Sequence, residues 1–243
     1  MKKIIIALTI WFCLCSPCFA SIDENAIHDN YLCNLSFTTR SFNDIITQIN
    51  NLAEKSTEIS YIQYYWHSDG SKIDWDIEIN WRPSVKILTG QQLTKSDQQI
   101  KEAAENIVNS IDKTNDYQTI YEIYNWIQDK TEYDYISAEQ KRYRYQNLPC
   151  DNAGGVFFDG KAVCGGYADA FYLLSNMAGI DCFLVIGGNH CWNIVKLQDK
   201  WYYIDVTDEN GHCFLRGSDW LEEYGYVIES YMPIEASKTD YMF

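Results

Sequence analysis

The strongest constraint on the fold of this chain is a helical pattern that leads directly into strand patterns in its last third. Apolar residues recur at helical spacing over residues 164–178, and Gly179 is a favoured helix stop. Runs of strand-forming residues follow at 180–186, 190–197 and 200–207, with short turns between them. The pattern predicts one helix, then a strand, then a hairpin.

The N-terminal half predicts a helix followed by a second hairpin. Apolar residues at helical spacing mark a helix over residues 41–54. Strict alternation of apolar with polar residues over 73–81 predicts a half-buried strand. The favoured turn pair at 69–70 joins this strand to a partner at 61–66.

Two further helices are predicted between the second hairpin and the last third of the chain. The first begins near Ser96, because Ser96 and Gln99 fit a capping box and apolar residues follow at helical spacing. The second covers residues 116–129. Residues 133–160 are less regular and predict loops with one short helix.

The first 20 residues have the pattern of a secretory signal peptide. A positively charged start precedes an apolar run over residues 4–15 and a small-residue cleavage site before Ser21. The run is shorter than the about 20 residues that a membrane-spanning helix needs. Lipid attachment at Cys18 is a weaker alternative, because Pro17 precedes that cysteine. We therefore expect a secreted or otherwise extracytoplasmic protein with no membrane span in its mature form.

The chain is strongly acidic, which restricts its partners. Its formal net charge is −15, and loss of Lys2 and Lys3 with the signal peptide makes it −17. The negative electrostatic potential of such a chain disfavours binding to nucleic acid or to anionic lipid. It favours amine-rich substrates.

Six cysteines lie outside the predicted signal peptide. If Cys164 stays free for chemistry, five others remain, and an odd number cannot pair completely within one chain. At least one further thiol is then free, buried or paired with another chain. The six are Cys33, Cys150, Cys164, Cys182, Cys191 and Cys213.

Cys164 is the candidate nucleophile because it stands at the start of the predicted 164–178 helix. The partial positive charge at a helix N-terminus and a nearby imidazolium both favour the reactive thiolate. Gly165 and Gly166 carry no side chains to crowd a substrate, and backbone amides there are natural oxyanion donors.

The predicted hairpin supplies a base and an orienting group. If it turns at residues 198–199, His190 lies opposite Thr207, and Asp205 is its diagonal neighbour on the same face. A shift of one residue would place the two on opposite faces. The register therefore decides whether Asp205 can hold the His190 ring.

Three sequence blocks in this order resemble one known family. KAVCGGYADAF at 161–171, HCWNIV at 190–195 and KWYYIDVT at 200–207 are similar to the motifs of bacterial transglutaminase-like cysteine proteases and acyltransferases. Residues 124–135 resemble the helix and tyrosine segment that precede the nucleophile in that family. The resemblance covers roughly residues 114–215.

The resemblance implies an α+β, papain-like transglutaminase core, with the nucleophile at a helix N-terminus packed on an antiparallel sheet. It implies Cys164 as nucleophile, His190 as general base and acid, and Asp205 as orienting group. Tyr135, or else Tyr133, is the implied oxyanion donor. Residues 114–243 would form the catalytic domain, and residues 21–113 an N-terminal α/β extension of helix and hairpin.

Two departures from the family pattern affect what the resemblance implies. Cys191 stands where alanine is usual, so a second thiol adjoins the catalytic base and redox inhibition becomes conceivable. Asp208 stands where tryptophan is common, which weakens any inference about the substrate groove.

The implied reaction is thioester chemistry on peptide or glutamine amide bonds of a protein or peptide substrate, with no cofactor or metal. Hydrolysis and transfer to an amine stay equally open. Two alternatives remain: a catalytically silent binding module, and a zinc-stabilised domain. The zinc reading uses the pairs His190-Cys191 and His212-Cys213, although neighbours on a strand point to opposite faces.

Overall fold

The computed structural model describes most of the chain. The predicted signal peptide and Cys33 lie outside the described residues. The described residues are 34–39, 42–70, 72–140, 148–230 and 234–242.

The N-terminal part is a three-stranded antiparallel sheet covered by one helix. Strands β1 (Asn34–Thr39), β2 (Ile59–Ser68) and β3 (Ile73–Trp81) pair in the order β1-β3-β2. The predicted alternation in β3 is confirmed, since Trp75, Ile77, Ile79 and Trp81 are buried. They share a core with the apolar face of helix α1 (Phe42–Lys55). The predicted helix and hairpin are therefore present, and β1 was not predicted.

Helix α3 (Lys95–Ser110) begins earlier than its sequence suggested. The predicted Ser96–Gln99 capping box is wrong. The cap is Thr94, whose Oγ1 accepts from the Asp97 amide at 3.1 Å while Asp97 Oδ2 accepts from the Thr94 amide at 2.9 Å. The carboxylate of Asp97 also pairs with Lys86 Nζ at 2.6 Å, a second contact that favours this register.

The remaining short elements connect the helices to the C-terminal sheet. Helix α2 (Pro83–Leu88) lies between β3 and α3, and helix α4 (Asp116–Lys130) confirms the helix predicted over 116–129. The predicted loop region contains a short parallel strand pair and one short α-helix. The elements between α4 and the last third are β4 (Glu132–Tyr133), α5 (Tyr135–Gln140), a 3-10 turn (Pro149–Asp151), a π-helical turn (Gly155–Asp159) and β5 (Lys161–Ala162).

The last third folds as predicted, with a helix on an antiparallel sheet. Helix α6 (Cys164–Met177) is followed by β6 (Cys182–Gly187), β7 (His190–Leu197) and β8 (Lys200–Ile204), in the order β6-β7-β8. Asn193 of β7 donates to the α6 carbonyl of Ala168 at 3.0 Å, which fixes the helix on the sheet.

The predicted register of the β7–β8 hairpin is confirmed. Leu197 faces Lys200 and Asn193 faces Ile204. Strand β8 is shorter than predicted and ends at Ile204, so Asp205 lies immediately beyond its end. The chain continues through helix α7 (Ser218–Glu223).

Buried polar contacts attach α6 to the N-terminal part of the chain. Asp169 of α6 is fully buried and accepts hydrogen bonds from Ser84 Oγ and, at 2.9 Å, from the Ala153 amide. Burial raises the pKa of the Asp169 carboxyl, even though Arg82 and these two donors oppose the rise. Helix α6 is thus fixed from two directions.

The start of α6 lies in close contact with the 3-10 turn. The Val163 amide donates to the Cys150 carbonyl at 2.8 Å. A Cβ atom on Gly165 would overlap Asp151 Oδ1, and one on Gly166 would overlap the Cys150 carbonyl. The two glycines are therefore required for close packing of the helix start against the 3-10 turn.

Within the described residues, no helix combines the length and the apolar character that crossing a membrane requires. The five cysteines in that part of the chain are Cys150, Cys164, Cys182, Cys191 and Cys213, and all are free thiols.

The packing at Gly165 predicts whether an alanine at this position stabilises or destabilises the protein. Alanine is favoured over glycine inside a helix by about 1 kcal/mol, so Gly165→Ala would stabilise α6 if there were room. Because its Cβ overlaps Asp151 Oδ1, we expect a loss of roughly 1–3 kcal/mol in the free energy of unfolding, measured in urea. In an Asp151→Ala background the same change should cost much less. A gain in stability from Gly165→Ala alone would contradict this packing.

Candidate active site

Cys164 is the first residue of α6 and lies almost entirely below the surface. Val163, with an extended backbone, precedes the helix, and Cys164 is 7 % exposed. The amides of Gly166 and Tyr167 donate to the Val163 carbonyl at 2.9 and 3.2 Å. The thiol therefore lies at the positive end of the helix dipole, which favours a negative charge on sulfur.

His190 lies between the thiol and a buried carboxylate. Its Nε2 lies 2.6 Å from Asp205 Oδ2, and Cys164 lies close enough to contribute to the raised pKa of the imidazole. Because Nε2 is engaged with Asp205, Nδ1 is the nitrogen available to the thiol. The imidazole is 31 % exposed, whereas the Asp205 side chain is 3 % exposed. The structure thus brings Cys164, His190 and Asp205 together.

Asp205 is held through both of its oxygens. Oδ1 accepts from the Thr207 amide at 3.0 Å and from Thr207 Oγ1 at 2.6 Å. Oδ2 accepts from the Tyr226 hydroxyl at 2.9 Å in addition to His190. Four contacts to one buried carboxylate fix its orientation and stabilise its charge.

These contacts favour a charged His190–Asp205 pair. Burial by itself lowers the pKa of His190, but the hydrogen bonds and charges of Asp205 and Cys164 outweigh it and raise the pKa to about 10. Burial by itself raises the pKa of Asp205, but hydrogen bonds from His190, Thr207 and Tyr226 leave it lowered. An imidazolium beside Cys164 stabilises a thiolate and can later donate its proton.

The other four described thiols are poor nucleophiles. Burial raises the pKa of each, and for Cys191 the opposing charge of Arg82 does not offset it. Cys150 is half-buried and the other three are buried, and a thiol that stays protonated is a weaker nucleophile than its thiolate. The four are Cys150, Cys182, Cys191 and Cys213.

The Tyr135 side chain is 68 % exposed, and its ring packs against Tyr133 at a centroid distance of 4.9 Å. Tyr133 in turn stacks on Tyr167 at 6.2 Å, one helical turn from Cys164. The assignment of Tyr135, or of Tyr133, as oxyanion donor stays a prediction.

The zinc reading receives no geometric support from the described part of the chain. There, no group of three or more histidine, cysteine, aspartate or glutamate side chains is placed to hold a metal ion. His190 is engaged with Asp205, while His212 lies 3.9 Å from Asp208 with 65 % of its side chain exposed.

Two residues at the site escaped the sequence analysis. Arg82, 5 % exposed, donates to the Asp151 carbonyl at 2.6 Å and to the Thr57 carbonyl at 3.0 Å, and its guanidinium lies 3.7 Å from Asp151 Oδ2. Its charge also acts on Cys164. Arg82 could have been noticed in the sequence as a charged residue directly after Trp81, the last apolar residue of the alternating strand. Tyr226 lies in a stretch with no periodic pattern, so no such signal was present there.

Comparison with known proteins agrees with the resemblance. The family model of the transglutaminase-like superfamily matches residues 101–206. Kyphoscoliosis peptidase from Homo sapiens is 30 % identical over 112 residues, and the protein of that name from Mus musculus is 29 % identical over the same length. Each match covers 40 % of this chain and 16 % of the relative's length.

Among solved structures, a crystal structure of a TGase aligns with 86 % of this chain and 61 % of its own, at 15 % identity and a TM-score of 0.43. The matched family region contains Cys164, His190 and Asp205. The expected mixed α and β fold with a transglutaminase-like core is confirmed. Over residues 101–206 this chain is similar to the transglutaminase-like superfamily.

Proposed function

We propose that this chain is an exported cysteine-dependent hydrolase or acyltransferase that cleaves peptide or glutamine amide bonds through a thioester. The observation that carries the proposal is the position of the His190 imidazole, which lies 2.6 Å from Asp205 and close enough to Cys164 for that residue to contribute to its raised pKa. Of the described thiols, Cys164 is the one at a helix N-terminus beside an imidazole.

In the first half-reaction the Cys164 sulfur attacks the carbonyl carbon, and the carbon–oxygen double bond gives its electron pair to oxygen. Since the Gly166 and Tyr167 amides are engaged by Val163, the amides of Cys164 and Gly165 are the candidates in this turn for binding that oxyanion. His190 then protonates the departing nitrogen, the carbon–nitrogen bond breaks, and a thioester remains on Cys164.

The second half-reaction returns the enzyme to its starting state. Neutral His190 removes a proton from water or from a primary amine, which attacks the thioester and expels the thiolate. Water gives a carboxylic acid, and an amine gives a new amide. The same three residues serve both outcomes, and the net charge, −15 for the full chain and −17 without Lys2 and Lys3, favours the approach of lysine-rich amines.

Alkylation tests whether Cys164 is an activated nucleophile. We expect one equivalent of iodoacetamide at pH 7 to label Cys164 first. His190→Ala should slow that labelling about tenfold or more, because an unassisted cysteine is only a few per cent thiolate at this pH. His212→Ala, which removes an exposed imidazole, is the matched control. Equal labelling of several thiols, unaffected by His190→Ala, would support the silent binding module instead.

A two-substrate assay separates the possible reactions. The protein is incubated with a glutamine-containing peptide and a tagged primary amine, and the products are weighed by mass spectrometry. A mass gain equal to the amine minus ammonia indicates transfer, and two shorter peptides indicate proteolysis. We expect one of these products from the native protein and neither from Cys164→Ala. Product formation that survives Cys164→Ala would refute the thiol mechanism.

Export is tested by identifying the first residue of the mature protein. We expect the protein recovered from outside the cytoplasm to begin at Ser21, because the small-residue cleavage site precedes it. N-terminal sequencing by mass spectrometry makes the measurement. Protein that retains residues 1–20 and stays in the cytoplasm would contradict export without affecting the proposed chemistry.

A further inference from the structure

The chain after α7 returns to the active site along the edge of the C-terminal sheet. Strand β6 is an outer strand, and the amides of Glu229 and Ser230 donate to its Ile186 carbonyl at 2.9 and 3.0 Å. The Ile186 amide donates in turn to Ser230 Oγ at 3.1 Å. These bonds fix the segment that carries Tyr226, which lies outside the family match at 101–206.

Tyr226 makes its key contact with the carboxylate that orients the imidazole. Its hydroxyl donates to Asp205 Oδ2 at 2.9 Å, the same oxygen that His190 Nε2 approaches at 2.6 Å. Its ring packs edge-on against Trp192 at 5.1 Å and lies 6.2 Å from the His190 ring. The phenol therefore lies beside the His190–Asp205 hydrogen bond.

The Tyr226 hydroxyl donates to the same Asp205 oxygen that His190 contacts, and this has a defined electrostatic effect. A hydrogen bond to a carboxylate stabilises its charged form and reduces its attraction for a further proton. Because Tyr226 and His190 share Oδ2, the tyrosine hydroxyl weakens the hold of Asp205 on the imidazolium. The Thr207 contacts on Oδ1 fix the carboxylate but leave Oδ2 to these two groups.

We propose that Tyr226 is a positioning residue of the reaction, which sets how strongly Asp205 holds the His190 proton and shields that hydrogen bond from water. The proposal rests on the proposed function, in which His190 must first donate and then accept a proton. A phenol that moderates Asp205 makes proton donation by His190 easier in the first half-reaction, and it makes His190 a weaker base in the second.

Other titratable groups also face the pair, and one of them, Cys213, interacts with the Tyr226 hydroxyl as well. Cys164 approaches from α6 and Tyr124 from α4, while Asp208 and Cys213 approach from the residues after β8. A difference between the native protein and Tyr226→Phe thus reports the hydroxyl alone, since the phenylalanine ring keeps the packing on Trp192.

The test is an NMR titration of the native protein and Tyr226→Phe, each with isotope-labelled histidine. The chain has four histidines, so His190 is identified by the signal missing in His190→Gln. In the native protein we expect His190 to titrate near pH 10. In Tyr226→Phe its titration should move to higher pH, because Asp205 then holds the proton more strongly. The pH at which His190 deprotonation changes the alkylation rate of Cys164 should move with it.

Tyr224→Phe is the matched control. Tyr224 lies two residues away, is 59 % exposed, and stacks on Trp220 at 4.2 Å, so loss of its hydroxyl should leave both profiles unchanged. An unchanged His190 titration in a folded Tyr226→Phe protein would overturn the proposal. So would a shifted titration with no matching change in the alkylation profile.

A measurement on the native protein covers the case in which Tyr226→Phe does not fold. The 13C signal of the Tyr226 ring carbon that bears the hydroxyl should show an inflection at the pH where His190 titrates, since Asp205 Oδ2 links them. Absence of that inflection would also overturn the proposal. Failure of the proposed function has a different signature, since native Cys164 alkylation would then be insensitive to His190→Ala.

Discussion

The antiparallel register of β7 and β8, in which Asn193 faces Ile204, brings His190 and Asp205 onto one side of the sheet. A slip by one residue would turn Asp205 to the opposite face and leave the imidazole without its carboxylate. The same pairing directs Asn193 to the Ala168 carbonyl, which fixes α6 and therefore the position of its first residue, Cys164. One register thus locates all three groups of the site.

The N-terminal part of the chain contributes to the site through buried charge. Arg82 follows β3 and reaches Asp151, whose carboxylate lies against Gly165 at the start of α6. A carboxylate there would oppose a thiolate on Cys164, and the guanidinium compensates it. Removing one partner of such a buried pair generally costs several kcal/mol, because an uncompensated charge is left behind. The residues before the family match therefore contribute to the electrostatics around Cys164, the candidate nucleophile.

The sequence predicted the elements that depend on local pattern and missed the contacts that depend on distant partners. Periodicity and turn residues determine the alternation in β3, the α6 helix and the β7–β8 register, so these features could be predicted from the sequence alone. The α3 cap was misplaced because Asp97 also pairs with Lys86, which local pattern does not show. Arg82 donates a hydrogen bond to Asp151, which lies 69 positions further along the chain, and no spacing rule indicates such a pair.

Two residues outside the stretch that similarity detects complete the surroundings of the candidate triad. Arg82 precedes residues 101–206 and Tyr226 follows them. A fragment trimmed to those limits would keep the nucleophile, the imidazole and the carboxylate, but it would lose the cation beside Asp151 and the phenol beside Asp205. The part of the chain that surrounds the candidate triad is therefore longer than the stretch that matches the family model.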